Sequence, residues 1–191
     1  MAPRPAAVCG VVLAAGAGSR FGGPKILART PDGVPWVHRV VAALADAGCE
    51  LVLVTVGAGG ADAAAAVPAS AVAVPVADWA EGLSASLRAA LRAAELTRAR
   101  AVIVVPVDAP DLPASVCRRL IEEADATPDA LARAVYGGRP GHPVLIGRNH
   151  WAGVCAAAVG DRGAADYLRA AGALRVELGR EWHGFDVDRP D

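Results

Sequence analysis

Three apolar runs, at positions 8–13, 51–56 and 101–105, constrain the fold of this 191-residue chain most tightly. A strand with one solvated face alternates polar and apolar residues. These runs do not: nearly every position is Val, Leu, Ile, Ala or Cys. They read as strands covered on both faces, as in a sheet sandwiched between helical layers. Between the first two, Val37, Val40, Val41 and Leu44 recur at helical spacing and Gly48 sits where a helix would end.

The remaining elements are weaker. A helix is expected over 60–66, a strand over 71–76, and a turn at 78–87 that runs into a helix ending near 96. A helix over 113–123 has proline at its start. A strand at 131–135, a glycine-rich loop at 137–143 and a short strand at 144–146 follow, then helices over 149–157 and 163–171 and late strands at 174–178 and 185–187. Strands alternating with helices predict an α/β protein. Its architecture would be a three-layer α/β/α Rossmann-like fold around a mostly parallel mixed sheet, in one domain spanning 1–191.

Composition excludes several function classes. Net charge is -1 and no basic block occurs, so nucleic acid is not an expected partner. No apolar run approaches the ~20 residues of a membrane span. The first seven residues hold two prolines and no long apolar region, so no signal peptide is expected. Cys9, Cys49, Cys117 and Cys155 are widely spaced, without a metal-binding pattern, and read as free thiols of a reducing, cytoplasmic compartment. No Ser/His/Asp or Cys/His set suggests acyl-enzyme chemistry.

In open α/β sheets ligands bind beyond the carboxyl ends of the strands. The loop after the first strand carries Gly16, Gly18, Ser19, Arg20, Gly22 and Gly23, then Lys25. Lys25 is the only lysine; the other eighteen cationic side chains are arginine. The glycine spacing fits neither a dinucleotide fingerprint nor a Walker loop. Such a loop can bring its backbone close to phosphates, with the compact ammonium of Lys25 offsetting their charge.

Asp108 follows the third apolar run and lies between prolines, where one carboxylate oxygen could hold Mg²⁺. Asp111 suits a turn or helix-capping role better. Near the C-terminus, Asp186 and Asp188 share one face of a strand-like segment and could supply a second metal ligand. His142, between glycine and proline, is either a substrate contact or a loop brace. Ser84 and Ser86 either face a base or cap a helix.

Residues 13–22 with Lys25 resemble the signature loop of MobA-like nucleotidyltransferases, in particular the branch of the molybdenum cofactor cytidylyltransferases. The resemblance continues through Trp79 to Leu87, Pro106 to Pro110, Gly138 to Leu145, Gly160 to Ala164 and Asp186 to Pro190, in order along the chain. It implies that Leu13, Ala14, Ala15 and Gly16 line base and ribose, with Ser84 on the same nucleotide. It implies that Gly18, Ser19, Arg20 and Lys25 hold a triphosphate, and that Asp108 with Asp188 or Asp186 holds Mg²⁺. Lys25, Arg20 and Asp108 would carry catalysis, and Arg139 and His142 would face the acceptor. Ala14-Ala15-Gly16 resembles the loop of CTP users, where GTP users have Ala-Gly-Gly. Two departures stand out: Arg189 replaces the usual threonine of the closing motif, and the helix that usually follows does not appear before Asp191.

The activity so implied is transfer of a nucleoside monophosphate from CTP to a small phosphate-bearing acceptor such as molybdopterin, with release of pyrophosphate. The alternatives are guanylyl transfer from GTP to molybdopterin or another phosphorylated metabolite, and a non-catalytic nucleotide-binding module of the same fold. A dinucleotide-dependent dehydrogenase is disfavoured by the glycine spacing.

Overall fold

The computed structural model describes residues 7–187. Seven strands form one sheet: β1 (Val8–Leu13), β2 (Leu51–Val56), β3 (Val72–Pro75), β4 (Ala101–Pro106), β5 (Leu131–Tyr136), β6 (Arg139–Gly147) and β7 (Leu174–Glu177). The helices are α1 (Trp36–Asp46), α2 (Gly60–Ala65), α3 (Leu83–Glu95), α4 (Ala114–Glu123), α5 (Trp151–Ala157) and α6 (Ala165–Ala170). The strand order is β3-β2-β1-β4-β6-β5-β7. All pairings are parallel except those of β6, which runs antiparallel to both β4 and β5.

The three apolar runs are therefore neighbours, β2-β1-β4, and their burial explains their composition. Alternate residues of β1 enter opposite cores. Val8 and Val12 pack under α1 and α4, whereas Cys9, Val11 and Leu13 pack with α3, α5 and α6. In α1, the spaced residues Val37, Val40, Val41 and Leu44 are all buried. The helix starts after Pro35, and the chain leaves it at Gly48 with φ +102°. Cys9, Cys49 and Cys117 are buried, and all four cysteines are free thiols. No helix among the described residues is long and apolar enough to cross a membrane.

Three local expectations change. The glycine-rich segment 137–143 is mostly strand. Only Gly137 and Gly138 form the turn, both with positive φ, and Arg139 onward pairs back along β5. Glycine and proline hide the strand there, because its stability comes from the partner strand rather than from its own composition. The His142–Pro143 peptide bond is cis. The expected strand at 185–187 is irregular chain with one backbone hydrogen bond to its neighbour, from Val187 N–H to the Asp108 carbonyl at 2.8 Å. Asp111 sits in a turn, one of its two expected roles, and does not cap α4, whose N-cap residue is Pro113. Its carboxylate instead accepts from Trp182 Nε1 at 3.1 Å and lies 2.6 Å from His183 Nε2, holding the C-terminal segment across the end of the sheet.

Candidate functional site

A cavity of about 390 Å³ opens over the carboxyl ends of β1 and β4. Its floor is the loop that leaves β1. Ala14 N–H donates to the hydroxyl of Thr55 at 2.9 Å, and that hydroxyl donates to the Val12 carbonyl at 3.3 Å. Thr55, fully buried near the end of β2, thereby ties the first residue of the loop, Ala14, back to β1. The Ala15 carbonyl accepts from Ala58 N–H at 2.9 Å. Farther on, the Gly18 carbonyl collects the N–H groups of Phe21, Gly22 and Gly23 at 2.9, 3.0 and 3.2 Å. Gly18 has φ +61°, and a Cβ there would run into the Gly23 carbonyl. Only glycine fits that corner.

The loop ends in a single 3₁₀ turn, Lys25–Leu27, anchored by the fully buried Ile26. Lys25 Nζ lies 2.7 Å from Asp108 Oδ2, and both side chains are mostly buried. Asp108 is reached because Val107 N–H donates to the Leu13 carbonyl at 3.1 Å, carrying the β1–β4 pairing one residue beyond the strands. Its second oxygen, Oδ1, is buried and has no hydrogen-bond partner. A buried, unsatisfied carboxylate oxygen is costly unless something binds it. A hard divalent cation fits: Mg²⁺ or Mn²⁺ prefers oxygen, and Mg²⁺ takes one or two carboxylates with substrate phosphates and waters. No group of three or more His, Cys, Asp or Glu among the described residues forms a complete metal cage. Asp186 lies exposed one residue before Val187, which is bonded to Asp108; Asp188 is outside the described residues.

The opposite wall is the start of α3. Gly82 is its N-cap residue, with φ +104°, and no side chain of its own segment caps it. Leu83 N–H instead donates to Asp161 Oδ1 at 3.3 Å, from a turn 78 positions away. Trp79 covers Gly57, where a Cβ would lie 2.6 Å from that of Trp79. Ser86 lines the cavity, whereas Ser84 is fully buried with an unpartnered hydroxyl and does not reach the lining.

A second chamber of about 160 Å³ shares Leu13, Leu83 and Asp161 with the first. His142 and Arg133 line it. Burial is the main reason the His142 pKa is lowered to about 4; Asp108 opposes the shift and Arg133 adds to it. The imidazole is neutral at neutral pH. Its backbone is fixed by Tyr136, whose hydroxyl donates to the His142 carbonyl at 2.6 Å. Burial, then the charge of Arg175, lowers the Arg133 pKa.

The sequence profile of the MobA-like NTP transferase domain matches residues 10–176. The chain belongs to this family. The MobA-like domain is 32% identical over 196 residues to nicotine blue oxidoreductase of Paenarthrobacter nicotinovorans, covering 95% of this chain and 92% of that protein. Among solved structures it resembles Rv0371c from Mycobacterium tuberculosis H37Rv, with TM-score 0.77 and 29% identity over 97% of this chain and 95% of that one. A complex of Rv0371c with manganese superposes with TM-score 0.70, at 28% identity over 90% and 87% of the two chains. A nucleotidyl transferase from Methanothermobacter shares the fold, with TM-score 0.77 at 22% identity over 96% and 92%.

Within this MobA-like domain, Leu13, Ala14, Ala15, Gly16, Gly18, Ser19, Lys25 and Asp108 all face the first cavity, and His142 the second. Arg20 is exposed on the loop and is not part of the lining. Arg139 stands at the tip of the β5–β6 hairpin, its guanidinium 5.5 Å from the Phe185 ring, away from both chambers. Four contributors were missed as site residues. Thr55 could have been found as a lone hydroxyl in a fully apolar run, and Arg133 as a charge inside a strand. Trp79 and Asp161 lie in recognisable motifs, but only the packing of one turn on the other shows what they do.

Proposed function

We propose that this chain is a metal-dependent nucleotidyltransferase that moves a nucleoside monophosphate, CMP from CTP, to a small phosphate-bearing acceptor such as molybdopterin. The observation that carries the reading is the Lys25–Asp108 pair at the edge of a cavity of about 390 Å³ floored by a glycine loop. The acceptor phosphate, already anionic at neutral pH, attacks the α-phosphorus in line. A P–O bond to the acceptor forms as the bond from the α-phosphorus to the bridging oxygen breaks, and pyrophosphate leaves with the electron pair. No protein nucleophile is needed; catalysis rests on positioning and on charge stabilisation.

Ala14 to Gly16 offer a flat, small-residue surface for base and ribose. Gly18 and Ser19 bring the backbone to the phosphates, Lys25 offsets their charge, and Asp108 Oδ1 is the oxygen available to Mg²⁺. Mg²⁺ bound there supplies further charge neutralisation at the phosphates. Asp186 or Asp188 would be its second ligand, and His142 faces the acceptor as a neutral hydrogen-bonding group. Free buried thiols suit a cytoplasmic protein.

Pyrophosphate release from CTP, GTP, UTP and ATP, measured side by side with molybdopterin and with Mg²⁺ or Mn²⁺, tests the reading. Release from CTP above the other three supports it, and release from GTP instead supports guanylyl transfer. Nucleotide binding with no metal-dependent turnover on any acceptor would make the chain a non-catalytic nucleotide-binding module. The 32% identity to nicotine blue oxidoreductase favours a second reading, an oxidoreductase on a related compound. Turnover of nicotine blue with an added two-electron donor such as a reduced nicotinamide dinucleotide, followed by the absorbance of both, without pyrophosphate release from any NTP would establish it.

A further inference from the structure

One row of residues across the sheet begins apolar and ends in two charges. Register places Leu53, Val11, Val104, Val144, Arg133 and Arg175 side by side on β2, β1, β4, β6, β5 and β7. The first four are buried in the core beneath α3, α5 and α6, and Leu131, two residues before Arg133, packs against the same cluster. Strand alternation therefore points Arg133 at an apolar face. Like charges directly opposite on neighbouring strands are destabilising, and Arg133 is half-buried, its Nε fully so.

Among the described residues no charged group offsets that cost. Among the described residues no carboxylate pairs with Arg133, and its Nε is buried without a partner. The nearby acids are committed elsewhere. Asp166 holds both Arg162, at 3.0 Å, and Arg169, at 2.6 Å. Glu177 accepts from the N–H groups of Gly137, Gly138 and Gly179. Asp161 accepts from Leu83 N–H. Arg175 Nη2 donates to the Gly138 carbonyl at 2.6 Å, leaving its other N–H groups for something else.

The cavities show what lies in front. The chamber with His142 meets a third, of about 570 Å³, at Arg133, Ala165 and Leu168, and Arg175 and Arg169 line that third space. Three cavities with shared walls are thus lined in turn by Lys25 and Asp108, by His142 and Arg133, and by Arg133 and Arg175.

We infer that Arg133 and Arg175 form an oxyanion-binding site that receives a second acidic group of the acceptor, a phosphate or a carboxylate, at the end remote from the attacking phosphate. What happens at the near end rests on the nucleotidyl-transfer reading; the anion site does not. The acceptor class is a small metabolite anionic at both ends. Two guanidinium forks suit either group, since arginine binds phosphate and carboxylate through paired N–H donors.

Inorganic phosphate and acetate serve as probes, titrated into the whole chain saturated with CTP and followed by the ¹⁵N resonances of Arg133 Nε and Arg175 Nε, each variant being read at the arginine it keeps. A saturable shift is expected, with binding weakened at least tenfold in Arg133→Gln and in Arg175→Gln and CTP affinity unchanged within twofold. Tighter phosphate marks a phosphate-ended acceptor, and tighter acetate a carboxylate-ended one. No saturable shift with either anion, or an equal loss of CTP affinity in the variants, overturns the assignment. Arg133→Met gives an independent check, because methionine suits the apolar row. Its melting temperature should rise; a fall would show that the arginine is there for the fold and would overturn the site. Nucleotidyl transfer is not part of either readout, so its absence would leave the anion site standing.

Discussion

The ammonium of Lys25 lies 2.7 Å from the carboxylate of Asp108, 83 positions away in the chain. The contact follows from one pairing. β1 and β4 run parallel with Leu13 opposite Pro106, so the loop leaving one strand and the segment leaving the other emerge together. Both side chains are mostly withdrawn from water, so their charges are little screened. The cation and the metal-binding oxygen of the proposed reaction therefore sit within one carboxylate of each other.

Lys25→Ala should lower turnover by two to three orders of magnitude, the scale of losing about 3–4 kcal/mol of transition-state charge stabilisation. The fold should persist, because Ile26 rather than Lys25 anchors that turn. Pyrophosphate release and a thermal melt on the same sample check both halves. Undiminished turnover with every NTP would remove Lys25 from the chemistry.

Divalent cations should stabilise the chain through Asp108. At a hundredfold excess over the dissociation constant the gain is about 2.7 kcal/mol, read as a higher melting temperature. Asp108→Asn should abolish the gain, and a chelator should stop turnover of the unaltered protein. An equal shift in Asp108→Asn would place the ion elsewhere.

Gly18→Ala puts a Cβ against the Gly23 carbonyl at a backbone angle that disfavours side chains. The expected cost is about 1–3 kcal/mol, local to the loop. Calorimetric titration should show weaker nucleotide binding while the far-ultraviolet circular dichroism stays unchanged.

Thr55→Val keeps the shape but strands the Ala14 N–H in a buried site, costing about 1–3 kcal/mol. Chemical denaturation measures that loss directly. A neutral result would mean that the loop backbone finds another acceptor.

His142 makes stability depend on acid. Its folded pKa, about 4, is below its ordinary 6.5, so the unfolded chain takes up the proton first. The stability tied to the neutral ring is complete above pH 6.5 and is lost as the pH falls toward 4. Denaturation midpoints between pH 4 and 7 should slope less in His142→Gln than in the unaltered protein.

Much of this was legible in the chain itself. The runs that became β1, β2 and β4 carry their burial in their composition, because a strand covered on both faces has no position for a polar side chain. The glycine loop, its single lysine and the aspartate after β4 could be read the same way. All three are backbone or chain-order properties, and α/β topology sends the carboxyl ends of parallel strands to one side. Only the last part of β6 was legible, as the short strand at 144–146; Pro140, Gly141 and Pro143 read as loop, and only pairing with β5 makes that part a strand. Arg20 and Arg139 matched motifs by position, yet where a long side chain lies relative to a cavity is set by its surroundings.

By itself, then, the amino-acid order determined the layered α/β fold, the glycine-rich loop after β1 and the two residues, Lys25 and Asp108, placed at the ends of neighbouring strands. Local pattern suffices for these, since burial and backbone freedom act residue by residue. The tertiary structure alone decided that Thr55 braces the loop, that Asp161 caps α3 from a distant turn, and that Arg133 faces Arg175 on an apolar row. Those relations depend on strand register and on helices packing over the sheet, which no single segment encodes.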